Sequence, residues 1–422
     1  MAKTQHSRLD HVSATLVGTA IPMLVFGRVV LGIVFGLGIL FLILSNPKGQ
    51  TWGYVLTQFK RPLGVAVSIT AFVWIVSSFG SVFPVRSLEA TCRSIFFIIL
   101  GTIVFAALKD KYQLKQICIR AFITSSFIAV FLALIEMSLL PQLYWLLKLK
   151  GWQETPIMPH AFKGFSSLAV LLIPVIAVSA WRQSWLWRGI GAAAILGFGV
   201  LVWNSYNRAA IAGLLAMLPV IAFLTLTRPG GRIIASGVLI VFGGLLVAIL
   251  DWLKTSRTLV VSKLEPLGDW PLPIWLIDFQ RQTIWEYAFN ITHSAPWLGI
   301  GANTINFSPG ADQPLPGNET LHIIPAHPHN WFFEILAETG SIGLIAMMVS
   351  ATLAAYHFIR LYKRYGDSSS VAALTIMAGY WVSGLFNYSY WSAWWQVSFV
   401  LSIALVSSIH HLDHTSKVWS KT

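Results

Sequence analysis

The stretch IIPAHPHNWFFEILAETGSIGLIAMMVSATLAAYHFI, Ile323–Ile359, decides how the rest of this chain is read. It opens as a polar, histidine-bearing loop and passes without a break into a membrane-length apolar run. Asn330 suits an N-cap, because its short side chain can accept from free amides in the first turn. Phe333, Leu336 and Gly340 then recur at helical spacing on one face, and Gly340 and Gly343 mark the step into a span expected at 340–360. Such runs, long enough to cross roughly 30 Å of hydrocarbon, recur along all 422 residues. Apolar residues make up 56% of the chain and charged residues 11%, with 19 Trp and 26 Phe, a balance that excludes an ordinary soluble enzyme. The expected fold is an all-α polytopic membrane protein with about twelve spans, near 15–26, 29–45, 62–80, 92–108, 119–140, 165–181, 186–204, 208–227, 232–250, 340–360, 370–388 and 392–410. The first is short and is expected to form a broken hairpin with the second. No soluble domain, heptad array or internal repeat interrupts the pattern. Residues 1–422 are therefore expected to form a single transmembrane domain, with 251–330 as one large loop holding short helices.

The formal charge of +13 is explained by membrane anchoring and not by nucleic acid. With a cytoplasmic N-terminus, one set of short loops collects Lys48, Lys60, Arg61, Lys109, Lys111, Lys115, Arg182, Arg188, Arg228, Arg232, Arg360, Lys363 and Arg364, with Lys417 and Lys421 in the tail. The long loop 251–330 holds four Lys/Arg against seven Asp/Glu, so it is expected outside and both termini inside. No small-residue cleavage site follows the polar N-terminus, so the first apolar run is expected to be retained. Cys92 and Cys118 carry no disulfide or metal spacing and are expected to be core thiols. Against this background Arg86, Lys148, Lys150, Lys163, Arg208 and Arg281 stand out, since all are cations on the outer side, where orientation does not call for them. A bound anion would account for them.

The long loop contains an aromatic-rich, helix-like stretch, Trp275–Phe307. Arg281 and Trp285 fall four apart on one face, and Pro296 and Gly299 end the helix. Gly299 and Gly301 give half of a dinucleotide-binding pattern, but no strand precedes them and that function is set aside. A lone histidine at a helix start ordinarily caps or packs. His329 is different because Arg208 and Arg281 share its side, and an arginine beside apolar membrane surface is costly unless paired or solvated. The free amides at the helix start add partial positive charge there, which also favours an anion. His327 and His329 make half a zinc site with no third ligand nearby, no D-x-D occurs, and the one close carboxylate pair is Glu334 and Glu338. No metal and no cofactor are expected. One base and several cations remain.

At this point a resemblance enters. His329-Asn330, nine residues, then Gly340-x-x-Gly343 resembles the signature of bacterial O-antigen ligases and their polymerase relatives. The segment RQTIWEYAFNITHSAPWLGIGANTINF, Arg281–Phe307, resembles the R-x-x-x-W…P-x-x-G-x-G segment of the same superfamily, and Arg208 before an A-x-x-A-G run matches its arginine at a span start. The resemblance implies a C-type (GT-C) glycosyltransferase fold with one large periplasmic loop in a Gram-negative inner membrane. It implies transfer of O-antigen polysaccharide from undecaprenyl pyrophosphate to a sugar hydroxyl of lipid A–core, with donor, acceptor and membrane lipid as partners. A pyrophosphate is already a good leaving group, so the reaction needs a base for the acceptor hydroxyl and cations for the departing diphosphate. His329 is expected as the general base, with Arg208 and Arg281 as the forks on the diphosphate. Arg86, Lys163, His327, Asn330 and Trp285 are expected to help hold substrate. An O-antigen polymerase or a protein O-oligosaccharyltransferase shares much of the pattern. A lipid-linked-sugar flippase would instead line a path from the cytoplasmic side, and a transporter would show paired halves.

The charge asymmetry makes the orientation testable. With Cys92 and Cys118 replaced by serine, a cysteine introduced beside Asp312 should react with a membrane-impermeant maleimide in intact spheroplasts. Labelling only after permeabilisation would reverse the assignment of sides.

Overall fold

The computed structural model describes residues 7–45, 48–261, 273–315 and 318–419. Among these, the N-terminal half supplies α1 (Arg8–Thr19), α2 (Arg28–Ser45), α3 (Lys48–Phe59), α4 (Pro62–Phe79), α5 (Pro84–Leu108), α6 (Tyr112–Ser138) and α7 (Pro141–Leu147). After these come α8 (Lys163–Ser167), α9 (Ala169–Trp181), α10 (Trp185–Asn204), α11 (Arg208–Leu226) and α12 (Gly231–Val261). The C-terminal part holds α13 (Phe279–Ser294), α14 (Trp331–Tyr365), α15 (Ser368–Gly384) and α16 (Ala393–Trp419), with a small antiparallel hairpin of β1 (Pro314–Leu315) and β2 (Asn318–His322). Local chemistry places many of these starts. Proline occupies the first turn of α4, α5 and α7, where its missing N–H costs nothing. Asn207, Asp278, Asn330 and Asp367 cap α11, α13, α14 and α15 through side-chain oxygens.

Eight of these helices are long and apolar enough to cross a membrane, or up to nine if the bent pair 159–181 is one span. The chain is thus a largely helical, polytopic membrane protein, with fewer full-length spans than the twelve expected. The physical reasons are local. The first apolar run stops at Thr19, and Pro22 starts a 3-10 turn in place of a continuing helix. The run expected at 165–181 is bent by 48° at Leu168. Helix α15 has 17 residues, and the apolar part of α16 ends at Ile409. The helix that holds the ninth expected span runs on to Val261, past the residue 251 at which the long loop is expected to begin. Residues 262–272 of that loop lie outside the described residues. The helix expected within Trp275–Phe307 is confined to α13 by its Asp278 cap and by Pro296. Of the two cysteines, Cys118 is buried but Cys92 is exposed, which corrects the expectation of two core thiols.

Packing brings α11 against α15 and α12, α4 against α14, α5 against α16, and α13 against the N-terminal part of α14. Arg182 pairs with Asp367 at 3.0 Å, and Arg228 donates to Gly366 O at 2.6 Å, tying one end of the bundle together. The loops around 163–167, 205–208, 327–330 and 385–392 meet at the opposite end.

Helix α14 is broken at Gly340, whose φ of 68° and ψ of −178° suit essentially glycine alone. The break releases the carbonyls of Ala337 and Glu338, and the loop after α13 takes them. Ile300 N donates to Ala337 O at 3.1 Å and Gly301 N to Glu338 O at 2.8 Å. In return Ser341 N and Ile342 N donate to Pro296 O and Trp297 O. The two backbones are so close that a Cβ on Gly340 would lie 2.2 Å from Trp297 C, and one on Gly299 would lie 2.3 Å from Glu338 C. This close approach explains Gly299, while at Gly301, the other glycine that resembled half a dinucleotide site, a Cβ would lie 2.3 Å from Ser81 Cβ. The Glu338 carboxylate closes the joint by accepting from Asn303 N (2.7 Å), Thr304 N (2.8 Å), Ile305 N (2.9 Å) and Trp391 Nε1.

Gly340→Ala should therefore lower the folded yield and melting temperature of the detergent-solubilised protein. Glu338→Ala should do the same, because each buried donor left unpaired costs about 1–3 kcal/mol. Gly36→Ala is the control, since a Cβ there meets nothing within 4 Å. Equal melting curves for all three variants would refute this account of the joint.

Candidate active site

The loop His327–Asn330 is held from three directions. Asn330 is buried, and its Oδ1 accepts from Phe332 N (2.9 Å) and Phe333 N (3.4 Å), fixing the start of α14. Trp285, on α13 and only 4% exposed, donates from Nε1 to Pro328 O at 3.1 Å and packs on Phe333 and Phe386. His329 sits at φ 55°, a left-handed conformation that costs a non-glycine residue about 1–3 kcal/mol unless its surroundings hold it. Its ring is held by Asn387 O, 3.1 Å from Nδ1. A carbonyl only accepts, so the proton of the neutral ring resides on Nδ1 and the lone pair of Nε2 is left open. His327 lies alongside, with ring centroids 4.2 Å apart, and its Nε2 is buried with no hydrogen-bond partner among the described residues.

Both imidazoles are held neutral at physiological pH. Burial, followed by the charge of Arg281, pulls His329 down to about 4, against the opposing pull of the Asn387 bond and of Asp278. Burial, then His329, then Arg281 and Arg28, take His327 down to about 3, again against Asn387. Arg281 itself donates from Nη1 to Phe386 O at 2.7 Å and lies 3.9 Å from Asp278. Adjacent carbonyls of one turn, Phe386 and Asn387, thus orient the arginine and the histidine together. The charge of Arg281 also reaches Lys163, half-buried at the start of α8.

A polar knot extends the site across the bundle. Asn387 Nδ2 donates to Ser167 Oγ at 2.8 Å, and Asn207 Nδ2 donates to Ser167 Oγ (2.8 Å), Ser166 Oγ (2.9 Å) and Lys163 O (3.0 Å). Arg208 follows Asn207 at the first position of α11. It is exposed, and its guanidinium makes no hydrogen bond or ion pair with a described residue. The structure thus joins His329, His327, Asn330, Trp285, Arg281 and Lys163 in direct or electrostatic contact, whereas Arg208 is next in sequence to the knot residue Asn207 and touches none of them through a hydrogen bond or ion pair. Arg86 lies elsewhere, donating to Asn303 O at 2.8 Å and covering Phe307 beside a cleft lined by Val82–Arg86 and Glu89.

Three contributors escaped the sequence reading. Arg28 opens α2, acts on His327 and Tyr388, and covers the Trp394 ring at 5.6 Å. It lies between the first two expected spans, so the rule that singled out Arg208 applies to it equally. Asn387 and Ser167 carry no motif, and only the polar run NYSYW between two spans hinted at the first. The carboxylates of α14 prove to be pins. Glu334, fully within the fold, accepts from Ser389 Oγ and Tyr390 N, both at 2.6 Å, as Glu338 does from the loop.

Comparison with known proteins bears on this arrangement. The family model described as O-Antigen ligase matches residues 192–348. A protein named "Putative polysaccharide ligase" from Rickettsia bellii is 26% identical over 129 residues, 30% of this chain and 31% of that protein. One of the same name from Rickettsia felis is 27% identical over 129 residues, again 30% of this chain and 31% of its own length. The matched segment thus spans under a third of each relative. Arg208, Arg281, His327, His329, Asn330 and both pinned glutamates fall inside 192–348, and Arg28, Lys163, Ser167 and Asn387 fall outside it. Over residues 192–348, from α10 into the broken α14, this chain is similar to the family described as O-Antigen ligase.

Proposed function

We propose that this protein is an inverting, metal-independent glycosyltransferase of the O-antigen ligase type. It transfers O-antigen polysaccharide from undecaprenyl pyrophosphate to a sugar hydroxyl of lipid A–core, at the periplasmic face of a Gram-negative inner membrane. The observation that carries the proposal is a neutral His329 with its Nε2 open, fixed by Asn387 beside Arg281. The acceptor oxygen attacks the anomeric carbon of the donor as its proton passes to His329 Nε2. The bond from that carbon to the diphosphate breaks with its electron pair, and the lipid diphosphate leaves with the added charge. A single displacement inverts the anomeric centre. Arg281, with Lys163 nearby and Arg208 across the Asn207 knot, supplies positive charge for the leaving group. Trp285, Asn330 and His327 act on the histidine loop and keep His329 in its unusual backbone conformation. The pinned state of Glu334 and Glu338 supports a mechanism without a divalent ion, since protein donors already occupy the carboxylates nearest the site. Gathering of the cations at one end of the bundle favours a transferase over a flippase. The Lys/Arg asymmetry supports placing that end in the periplasm, with both termini cytoplasmic.

Two measurements test the reading, both with purified protein, a polyprenyl-pyrophosphate glycan and lipid A–core in excess EDTA. His329→Ala should lose roughly 10²–10⁴-fold in turnover while keeping donor affinity. Arg281→Ala and Arg208→Ala should lose roughly a hundredfold, with only partial rescue by lysine. A variant series in which His327→Ala is inactive and His329→Ala is active would remove His329 from its role.

The second measurement is the pH profile. The competent form of His329 is the neutral one, and its pKa in the folded protein lies below the ordinary value, at about 4. The acid limb of turnover should therefore lie well below the 6.5 of a free histidine, with activity level from neutrality down to about pH 5. Arg281→Gln removes a charge that opposes protonation, so in that variant the limb should move toward neutral pH. An acid limb near 6.5 that Arg281→Gln leaves in place would show that another group is the base.

A further inference from the structure

Arg28 stands at the histidine end of the bundle with no counter-ion among the described residues. It opens α2, directly after the 3-10 turn Pro22–Phe26 and Gly27, whose φ of 128° swings the chain into the helix. That turn is clamped from α7, where Lys148 Nζ donates to Val25 O at 2.6 Å. The Arg28 guanidinium lies over the ring of Trp394, 5.6 Å from its centroid, and Trp394 is buried beneath it. Stacking uses the face of a guanidinium and none of its five N–H groups. Arg28 is exposed, and it makes no hydrogen bond or ion pair with a described side chain.

A short run of contacts leads from Arg28 to the base. Trp394 packs edge to face on Tyr388 with centroids 4.7 Å apart, and the preceding residue, Asn387, holds His329 through its carbonyl. The charge of Arg28 reaches His327 and Tyr388. The two arginines differ in what balances them. Arg281 already has Phe386 O and Asp278, and its charge falls on His329, His327 and Lys163. Arg28 has an aromatic ring in their place. A guanidinium held flat with its donors open is pre-oriented for a phosphate or a carboxylate.

A single displacement puts the attacking hydroxyl and the departing diphosphate on opposite faces of the anomeric carbon. Cations that serve the leaving group therefore leave the acceptor side unattended. Arg281 and Lys163 form that first group. Arg28 reaches the histidine pair without belonging to it.

Resting on the transferase reading above, we propose that Arg28 binds an anionic substituent of the acceptor glycan, a phosphate or a sugar carboxylate close to the hydroxyl that attacks. The Trp394 ring orients the guanidinium and the clamped turn fixes its place. A bidentate contact then sets the acceptor hydroxyl against His329 Nε2. The acceptor is thus selected by charge.

Two experiments decide this. The first is steady-state kinetics of the full chain in phosphatidylcholine nanodiscs, with a polyprenyl-pyrophosphate glycan as donor. The acceptor is lipid A–core, used intact, dephosphorylated, carboxyl-reduced, or stripped of both groups. With intact acceptor, Arg28→Gln should raise the acceptor KM about tenfold, equivalent to about 1.4 kcal/mol, with kcat and the donor KM unchanged. Arg28→Lys keeps the charge without the fork, should recover part of the loss, and gives the reading if Arg28→Gln folds poorly. The loss should vanish once the group that Arg28 binds has been removed, and the acceptor at which it vanishes names the anion. A loss that persists with the fully stripped acceptor, a rise in the donor KM alone, or no change at all overturns the proposal.

The second measures binding of intact lipid A–core without donor, so no turnover is required. Arg28→Gln should raise Kd about tenfold, in phosphatidylglycerol nanodiscs as in phosphatidylcholine. A difference that phosphatidylglycerol erases assigns Arg28 to membrane headgroups and overturns the proposal. Arg28-dependent acceptor binding by a wild-type protein that forms no joined glycan would instead overturn the transferase reading and leave the assignment of Arg28 intact.

Discussion

Breaking a membrane helix releases backbone groups that hydrocarbon cannot solvate, so any break must be filled from within the protein. In α14 the break at Gly340 is filled by the loop 296–301, which takes the carbonyls of Ala337 and Glu338 and offers those of Pro296 and Trp297 in exchange. The exchange is possible only because Gly299 and Gly340 bring two backbones within van der Waals distance. The Glu338 carboxylate then fastens the same loop and reaches Trp391. With the start of α14 fixed in this way, Asn330 and His329 acquire a defined place relative to the turn after α15.

That turn, 385–392, does more than connect two helices. Its carbonyls orient Arg281 and His329, its side chain at Asn387 reaches Ser167, and its amide at Tyr390 holds Glu334. Main-chain acceptors are a rigid way to present a histidine beside a cation. They select the Nδ1 tautomer without adding a negative charge that would raise the ring's basicity, as a carboxylate partner would. Burial and Arg281 outweigh the Asn387 bond, and the ring stays neutral. The consequence is a weaker base than free imidazole, but one fully unprotonated at neutral pH.

The balance of charge at this end of the bundle is one-sided. Arg28, Lys163 and Arg281 act on the site, while Glu338 is consumed by the joint, Glu334 by the turn 385–392, and Asp278 caps α13 and lies 3.9 Å from Arg281. A surface so arranged is unfavourable when empty and favourable when an anion is bound, which fits a diphosphate donor. The O-antigen ligase match ends at residue 348, before the turn that orients its histidine. The site is therefore completed by parts of the chain outside the recognised segment.

The chain's own pattern determined that it is helical and membrane-embedded, because apolar run length and Lys/Arg distribution are local quantities that hydrocarbon reads directly. It also marked His329, Asn330, Arg208, Arg281 and the four motif glycines, which keep fixed spacings along the chain. Tertiary structure alone decided what Gly299 and Gly340 are for, since a close approach between residues 299 and 340 has no signature in either segment taken singly. It alone turned Glu334 and Glu338 into structural pins, Trp285 into a buried support of the histidine loop, and Asn387 into the group that selects the tautomer. It also separated Arg86 from the histidine and brought Arg28 toward it. Each of these depends on which loops meet at one end of the bundle, and spacing within a single helix or loop carries no information about that meeting.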